Sequence, residues 1–153
     1  MSCFGEGLQD GTIDCIVSDH SPSTLDLKDL ENGDFGVAWG GVSSLQLGLS
    51  LIWTEARRRG IGLEQVVEWM AVRPAELVRL SNKGKLALGY HADLSLFAPD
   101  DSFVVDPAKL HHKNPITPYA QKTLSGVVRR TFLRGHEIGG RLPTGQLIVP
   151  LKR

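Results

Sequence analysis

The sequence predicts an α/β fold in which one buried strand and several helices precede a set of short strands. An apolar run of strand length spans residues 13–18, and such a run is typical of a strand buried on both faces. Apolar residues recur at spacings of three and four over 42–59, which predicts an amphipathic helix. After residue 82 the helical spacing gives way to short β-forming segments separated by turn residues.

Composition places the chain among single-domain globular proteins and argues against two classes of partner. Its 153 residues correspond to about one domain, and 41% of them are hydrophobic. The 17 basic and 17 acidic residues sum to zero charge, so neither nucleic acid nor an anionic membrane surface is an expected partner. No apolar run reaches the roughly 20 residues that a membrane span requires. The first residues lack the basic and apolar regions of a secretory leader, and Cys3 and Cys15 form no disulfide framework, which together predict an intracellular, cytoplasmic location.

The first half of the chain is predicted to contain loops and helices around the strand. Residues 1–12 are rich in glycine and polar residues and are predicted to form a loop or an irregular start of the chain. The helix over 42–59 would be capped by Ser43 or Ser44. A second helix is expected over 63–71, and a third over 74–80 because proline suits the first turn of a helix.

The second half is predicted to be β-structure. Short apolar segments bounded by Gly, Pro, Asn and Asp indicate strands rather than helices. A tight turn is expected over 134–137, where an Arg-Gly pair follows the longest of these segments. The predicted strands cover 85–88, 93–97, 102–105 and 124–134.

Asp19 is the leading candidate for chemistry. A carboxylate directly after a buried strand lies where α/β barrels place catalytic groups, and it can bind a metal or act as a general base. The same spacing also fits a simpler role, because Asp19 or Ser21 could cap the turn that Pro22 helps to start. The residues alone leave both interpretations open.

Several motifs together resemble one family of hydrolases. Residues 18–22, Ser-Asp-His-Ser-Pro, resemble the eighth-strand motif of the cyclic-amide hydrolases in the amidohydrolase superfamily. Residues 38–46 and 51–57 look like the corresponding segments of allantoinases in particular. Residues 83–94 are similar to the superfamily's segment that enters a small β-sandwich domain. Shorter matches to the same pattern lie at 73–75, 117–119 and 131–135.

The resemblance implies a C-terminal fragment of a TIM-barrel amidohydrolase, in which the last strand and helices of the barrel precede part of a small β-sandwich. Residues 1–81 would then be the terminal portion of the metal-dependent barrel and residues 82–138 the β-sandwich portion, followed by a tail over 139–153. A TIM barrel needs about 250 residues and eight strands. The chain is therefore expected to supply only one strand of the barrel.

The resemblance also implies an activity and a site. Allantoinases hydrolyse the ring amide of allantoin to allantoate, with two divalent metals, usually zinc, that activate a bridging water. Carried over, Asp19 is a metal ligand and the catalytic residue that moves a proton to the leaving nitrogen. Ser21, Gly40 and Gly41 are the candidate substrate-binding residues, although a turn-forming serine and a flexible helix entry explain them equally well. The complete family enzyme is expected to be a homo-oligomer.

The chain also departs from the family pattern. The remaining family ligands are a His-x-His pair, a carboxylated lysine and two further histidines, all upstream of the motifs found here. None of the five histidines of this chain forms a His-x-His pair, and His111 and His112 are interpreted as surface or packing residues. The chain alone is therefore predicted to be inactive. Two alternatives stay open: a truncated, non-catalytic interaction module, and a fragment of a dihydropyrimidinase or dihydroorotase, against which residues 39–41 argue.

Overall fold

The computed structural model describes residues 3–139 and 145–148, in which short helices precede a three-stranded antiparallel sheet. The α-helices are α1 (Cys3–Gln9), α2 (Gly48–Arg58), α3 (Leu63–Val67) and α4 (Arg73–Leu77), and a π-helical turn (Glu68–Val72) joins α3 to α4. The strands are β1 (Leu94–Val104), β2 (Thr123–Leu133) and β3 (His136–Glu137), which lie in that order across the sheet. Single 3-10 turns cover Leu25–Lys28, Leu45–Leu47 and Pro107–Lys109.

Helix α2 packs against the sheet and organises the core. Trp53 is buried in one cluster with Val66, and its ring meets Phe97 of β1 edge-on, with the ring centroids 6.4 Å apart. Ser50 Oγ donates a hydrogen bond to the carbonyl of Gly126 in β2 at 2.7 Å. Trp53 Nε1 donates to the carbonyl of Pro99 at 2.9 Å, so its polar atom is also satisfied. Helix and sheet are therefore joined by apolar burial and by buried hydrogen bonds together.

The predicted helix over 42–59 exists but begins later than expected. A 3-10 turn (Leu45–Leu47) precedes the α-helix, which begins at Gly48 and ends at Arg58. Ser44 stands before the 3-10 turn without a side-chain cap, so the prediction that a serine caps this end is wrong. The first backbone donors instead bind the His20 ring, as described below.

The prediction of a loop or an irregular start over residues 1–12 is wrong for most of that segment, because Cys3–Gln9 forms helix α1. Two glycines weaken the intrinsic helix propensity of this segment. Leu8 is nevertheless buried, and it lines a cleft of about 240 Å³ together with Ile52 and Trp69. Burial of an apolar side chain against the rest of the fold therefore outweighs the local preference.

The two helices expected over 63–71 and 74–80 form one uninterrupted helical run that ends at Leu77. A π-helical turn joins them, and its widened register is visible where the Arg73 N–H donates to the Glu68 carbonyl, five residues earlier. The next residue in that register is Pro74, which has no N–H to offer. The carbonyl of Trp69 is therefore left without a donor from the helix.

That free carbonyl fixes the segment that leads to Asp19. The Ile16 N–H donates to the Trp69 carbonyl at 2.9 Å. Residues 13–18 do not form the predicted strand, because no other part of the described chain pairs with them as a neighbouring strand. A backbone needs a hydrogen-bonded neighbour to become a strand, and here a single bond to a helix takes that place.

The predicted strands of the second half are partly confirmed. Strand β2 (Thr123–Leu133) matches the expectation to within one residue, and a two-residue turn at Arg134 and Gly135 links it to β3. Both turn residues have positive φ, 49° and 80°, as tight hairpin turns of this kind require. The strands expected at 93–97 and 102–105 are one continuous strand, β1, whose register shifts at its centre.

The predicted strand at 85–88 is wrong. Leu86 and Leu88 are 85% and 104% exposed, and no strand in the described ranges pairs with this segment. Its apolar alternation therefore has nothing to pack against here.

The tail over 139–153 falls largely outside the described residues. Within the described residues, no helix combines the length and apolarity needed to cross a membrane.

Gly126 provides a test of the helix–sheet contact. It has φ 85°, and a Cβ added there would overlap Phe97 Cζ and lie 2.6 Å from Trp53 Cδ1. Gly89 has the same φ of 85° but open space around it. Both Gly→Ala changes incur about 1–2 kcal/mol of backbone strain, and overpacking at Gly126 adds about 1–3 kcal/mol. Urea unfolding should therefore show Gly126→Ala to be less stable than Gly89→Ala, and equal midpoints would contradict the described packing.

Candidate functional site

Asp19 stands exposed at the end of the segment that Ile16 anchors. Its φ of 42° lies in the left-handed region, which is uncommon for residues other than glycine and is tolerated best by Asp and Asn. No hydrogen bond from the described residues reaches its carboxylate, so its oxygens are free to accept a proton or contact a ligand. Backbone strain of this kind clusters at functional sites, where the surrounding structure holds it in place.

The surrounding structure is the start of the helix that follows the Gly40–Gly41 loop. His20 forms a parallel bridge with Val42, and the Ser21 N–H donates to the Val42 carbonyl at 3.1 Å. A Cβ added to Gly41 would lie 2.6 Å from the Ser21 carbonyl oxygen and would overlap its side chain. Ser21 and Gly41, both candidates from the sequence, are therefore in direct contact, and only glycine allows the approach.

His20 holds this junction through its side chain. Its Nδ1 accepts hydrogen bonds from the backbone N–H groups of Ser44 and Leu45, both at 3.1 Å. These are unpaired donors at the start of the helical segment, where a serine cap was expected. A ring nitrogen that accepts two N–H groups carries no proton of its own, so this geometry requires His20 in the tautomer with hydrogen on Nε2.

His112 lies beside His20 and extends the polar cluster. The two ring centroids are 5.0 Å apart, and His112 Nδ1 lies 3.1 Å from Ser43 Oγ. Thr117 Oγ1 donates to the Ser43 carbonyl at 2.6 Å, which ties the same loop to the helix start. Burial lowers the pKa of His112, and the nearby His20 and His111 lower it further. The cluster therefore favours a neutral His112.

Lys28 is a further site residue that sequence reasoning missed. Its ammonium donates to the carbonyls of Trp39, Gly40 and Gly41, at 2.9, 3.1 and 2.8 Å. The Trp39 N–H in turn donates to the carbonyl of Leu27 at 2.7 Å. These contacts span eleven to thirteen residues and follow no periodic pattern, so nothing in the sequence alone indicated them.

A groove of about 480 Å³ adjoins the Gly40–Gly41 loop. Its size suits a small ligand. Apolar side chains such as Phe35, Trp39 and Ile116 line it beside the backbone of Gly40 and Gly41. A larger cleft of about 680 Å³ lies between the α3–α4 run and β1; it is lined mainly by apolar groups and by none of the candidate residues. Asp19 and Ser21 line neither space, although Ser21 contacts Gly41, which lines the groove.

The residues present fit one position of a metal site. The Asp19 carboxylate is a ligand type that divalent cations accept, and it is exposed and unpaired by the described side chains. No group of three or more His, Cys, Asp or Glu side chains that could hold a metal ion occurs in the described part of the chain. Asp19 can therefore offer one ligand and one base, and the other ligands would have to come from elsewhere.

The lowered pKa of His112 predicts an acid-sensitive stability. Its pKa is 6.5 in an unfolded chain and lower in the folded one, so the unfolded chain binds the proton more readily. The free energy of unfolding should fall as the pH drops below about 6.5 and should be unaffected by this group above about pH 7.5. Urea unfolding between pH 7.5 and 5 measures the effect. His112→Gln should flatten the pH dependence, whereas the exposed His136→Gln should retain it; equal slopes in the two variants would contradict the cluster.

Comparison with known proteins places these features in a family. Residues 4–138 match the model of the amidohydrolase family. An allantoinase from Streptomyces avermitilis is 59% identical over 133 residues, which are 87% of this chain and 29% of that protein. An allantoinase from Arabidopsis thaliana is 43% identical over 137 residues, 88% of this chain and 27% of that protein. The chain thus spans less than a third of the length of these relatives.

Solved structures agree with the sequence relatives at the level of the fold. A D-hydantoinase superposes with a TM-score of 0.80 at 27% identity, covering 89% of this chain and 30% of that one. An L-hydantoinase from Arthrobacter aurescens has a TM-score of 0.80 at 28% identity, covering 96% and 32%. The residues that match the family model, 4–138, include almost all of the helices and the antiparallel sheet described above. The chain belongs to the amidohydrolase family.

Proposed function

We propose that this chain is part of an allantoinase, which hydrolyses the ring amide of allantoin to allantoate. The observation that carries the proposal is the exposed Asp19, whose neighbours His20 and Ser21 pair with Val42 and contact Gly41, in a chain 59% identical to an allantoinase over 133 residues. Residues 1–81 would be the last strand and helices of a TIM barrel, and residues 82–138 part of a small β-sandwich. The complete protein would supply the other barrel strands and assemble as a homo-oligomer.

Members of the amidohydrolase family generally use divalent metals. We propose zinc for this protein, with Asp19 as one ligand and the remaining ligands on the upstream barrel strands. When bound, the metals polarise the amide carbonyl and lower the pKa of the attacking water. Because Asp19 is exposed and its carboxylate is free, it is suited to this role without rearrangement of its neighbours.

Asp19 would also move the proton that hydrolysis requires. As water attacks the ring carbon, an Asp19 carboxylate oxygen accepts the water's proton. When the ring C–N bond breaks, the same oxygen returns that proton to the departing nitrogen, which leaves as a neutral amide group. The water's second proton stays on the new carboxyl group and is released to solvent as that group ionises to a carboxylate, and Asp19 is restored. The left-handed backbone at Asp19 sets the position from which the carboxylate reaches for both transfers.

Ser21, Gly40 and Gly41 would hold the substrate. Gly41 contacts Ser21 directly, and both glycines line the groove, so the loop can bring backbone groups close to a small planar ring. Two groups of relatives bear on the choice of substrate. The 43–59% identical sequence relatives are allantoinases, whereas the 27–28% identical structural relatives are hydantoinases. Allantoin is therefore the substrate we favour over dihydropyrimidine rings.

A chimera tests this function. The matched segment of the Streptomyces avermitilis allantoinase is replaced by this chain, and allantoate formation is measured with zinc present. The chimera should turn over allantoin faster than dihydrouracil or dihydroorotate. Asp19→Asn should lower kcat by about 10²–10⁴-fold, because a ligand charge and the proton acceptor are both lost. The exposed Asp14→Asn, in the same segment, should leave turnover unchanged.

The isolated chain provides the complementary measurement. One carboxylate binds zinc weakly, since a catalytic zinc site usually takes three protein ligands. No allantoin hydrolysis above background is therefore expected from the chain alone, with or without zinc. Undiminished turnover of the Asp19→Asn chimera would remove Asp19 from the mechanism. A chimera that folds but acts on none of these substrates would favour a non-catalytic interaction module.

A further inference from the structure

The Lys28 ammonium has all its hydrogen-bonding capacity committed to one loop. An ammonium group has three N–H donors, and here three consecutive carbonyls, those of Trp39, Gly40 and Gly41, accept from it. No ion pair in the described part of the chain involves Lys28, so backbone oxygens are its partners rather than a carboxylate. Lys28 therefore has no donor left for a ligand and acts through the loop that it binds.

Binding three carbonyls to one cation determines where the loop's N–H groups point. The described chain contains no cis peptide bond, and in a planar trans peptide the C=O and N–H point in opposite directions. With the Trp39 and Gly40 carbonyls turned toward Lys28, the N–H groups of Gly40 and Gly41 are turned away from it. None of the described residues accepts a hydrogen bond from either N–H. Both glycines line the groove, which Lys28 also lines.

The cation also makes these N–H groups better donors. A carbonyl that accepts a hydrogen bond from a charged group is polarised. The N–H of the same peptide then becomes a stronger hydrogen-bond donor. Neighbouring N–H groups that point the same way form a concave site for an oxygen that carries partial or full negative charge. The φ of 83° at Gly41 is the left-handed conformation that lets the loop adopt this shape.

Lys28 is itself held in place. It ends the 3-10 turn Leu25–Lys28, and the next residue, Asp29, reverses the chain with φ 43°. Asp29 accepts hydrogen bonds from Asn32 Nδ2 at 2.9 Å and from the Asp34 N–H at 3.3 Å. The Trp39 N–H returns to the Leu27 carbonyl at 2.7 Å. The loop over 29–38 therefore begins and ends at neighbouring positions, and the hydrogen bonds of Lys28 join its two ends.

We propose that Lys28 is a positioning residue that turns the Gly40 and Gly41 N–H groups toward the groove, where they bind a ring carbonyl oxygen of the substrate. This inference rests on the proposed function and adds to it a residue and a chemical class: a cyclic ureide with a carbonyl acceptor on the side away from the bond that breaks. Such a contact exists before and during the reaction, so it contributes to binding of the ground state and of the transition state equally.

The test compares Lys28→Met, Lys28→Arg and Lys109→Met in the chimera, by steady-state kinetics on allantoin. Lys28→Met should raise KM about tenfold and leave kcat nearly unchanged, since the weakening of one or two hydrogen bonds corresponds to that factor. Lys28→Arg keeps the charge but replaces the compact ammonium by a planar fork, and its KM should lie between those of the wild type and Lys28→Met. The exposed Lys109→Met should leave both constants unchanged.

A binding measurement accompanies the kinetics. In the Asp19→Asn background allantoin persists, and calorimetry should show a Kd about tenfold higher when Lys28→Met is added. If Lys28→Met does not fold, Lys28→Arg carries the test, because a KM and Kd equal to those of the unsubstituted chimera overturn the proposal. A lowered kcat at unchanged KM also overturns it. A chimera with intact Lys28 that folds yet neither binds nor hydrolyses allantoin contradicts the proposed function and, with it, this role of Lys28.

Discussion

The candidate site depends on one junction, where the backbone around His20 meets the start of the helical segment at Val42. A parallel bridge and two N–H groups bound to His20 Nδ1 hold the two stretches together. Because His20 is fixed from both sides, its neighbour Asp19 is held in a left-handed conformation that a free loop would leave. At the same junction Ser21 contacts Gly41, and this contact sets the distance between the segment that carries Asp19 and the glycine loop.

A hydrogen bond to the helical run provides a second constraint on the segment that carries Asp19. The π-helical turn before Pro74 leaves the Trp69 carbonyl without a helical donor, and the Ile16 N–H takes that place. An irregularity in one helix thus anchors the segment that carries Asp19. Lys28 anchors the glycine loop in a comparable way, because its ammonium donates hydrogen bonds to three carbonyls of that loop. The site is therefore assembled by backbone groups bound to particular side chains rather than by regular secondary structure.

Sequence reasoning succeeded where the determining contacts are local. Strand β2 and its Arg134–Gly135 turn were predicted because β propensity and turn chemistry lie within a few neighbouring residues. It failed where the contacts are distant: residues 13–18 and 85–88 have the composition of strands but no partner strand among the described residues. Helix α1 was missed because burial of Leu8, not local propensity, stabilises it.

The candidate site divides in the same way. Asp19, Ser21 and the two glycines were chosen from an apolar run, its polar end and a motif resemblance, all readable along the chain. Their roles stay predictions, while the contact of Ser21 with Gly41 is a finding of the structure. Lys28 and the pairing of His20 with His112 could not be chosen, because they join residues between eleven and ninety-two positions apart. Folding of the chain brings such groups together, and no local sequence pattern indicates these contacts.

We propose that Asp19 is one ligand of a metal site whose other ligands lie outside this chain. The measurement that decides this is a crystal structure of the chimera grown with zinc, with the metal located by its anomalous scattering. An Asp19 carboxylate oxygen should lie about 2.0–2.2 Å from a zinc ion, and His20 Nδ1 should still accept hydrogen bonds from the N–H groups of Ser44 and Leu45. A fully occupied zinc site with the Asp19 carboxylate turned away from the metal would rule out this role.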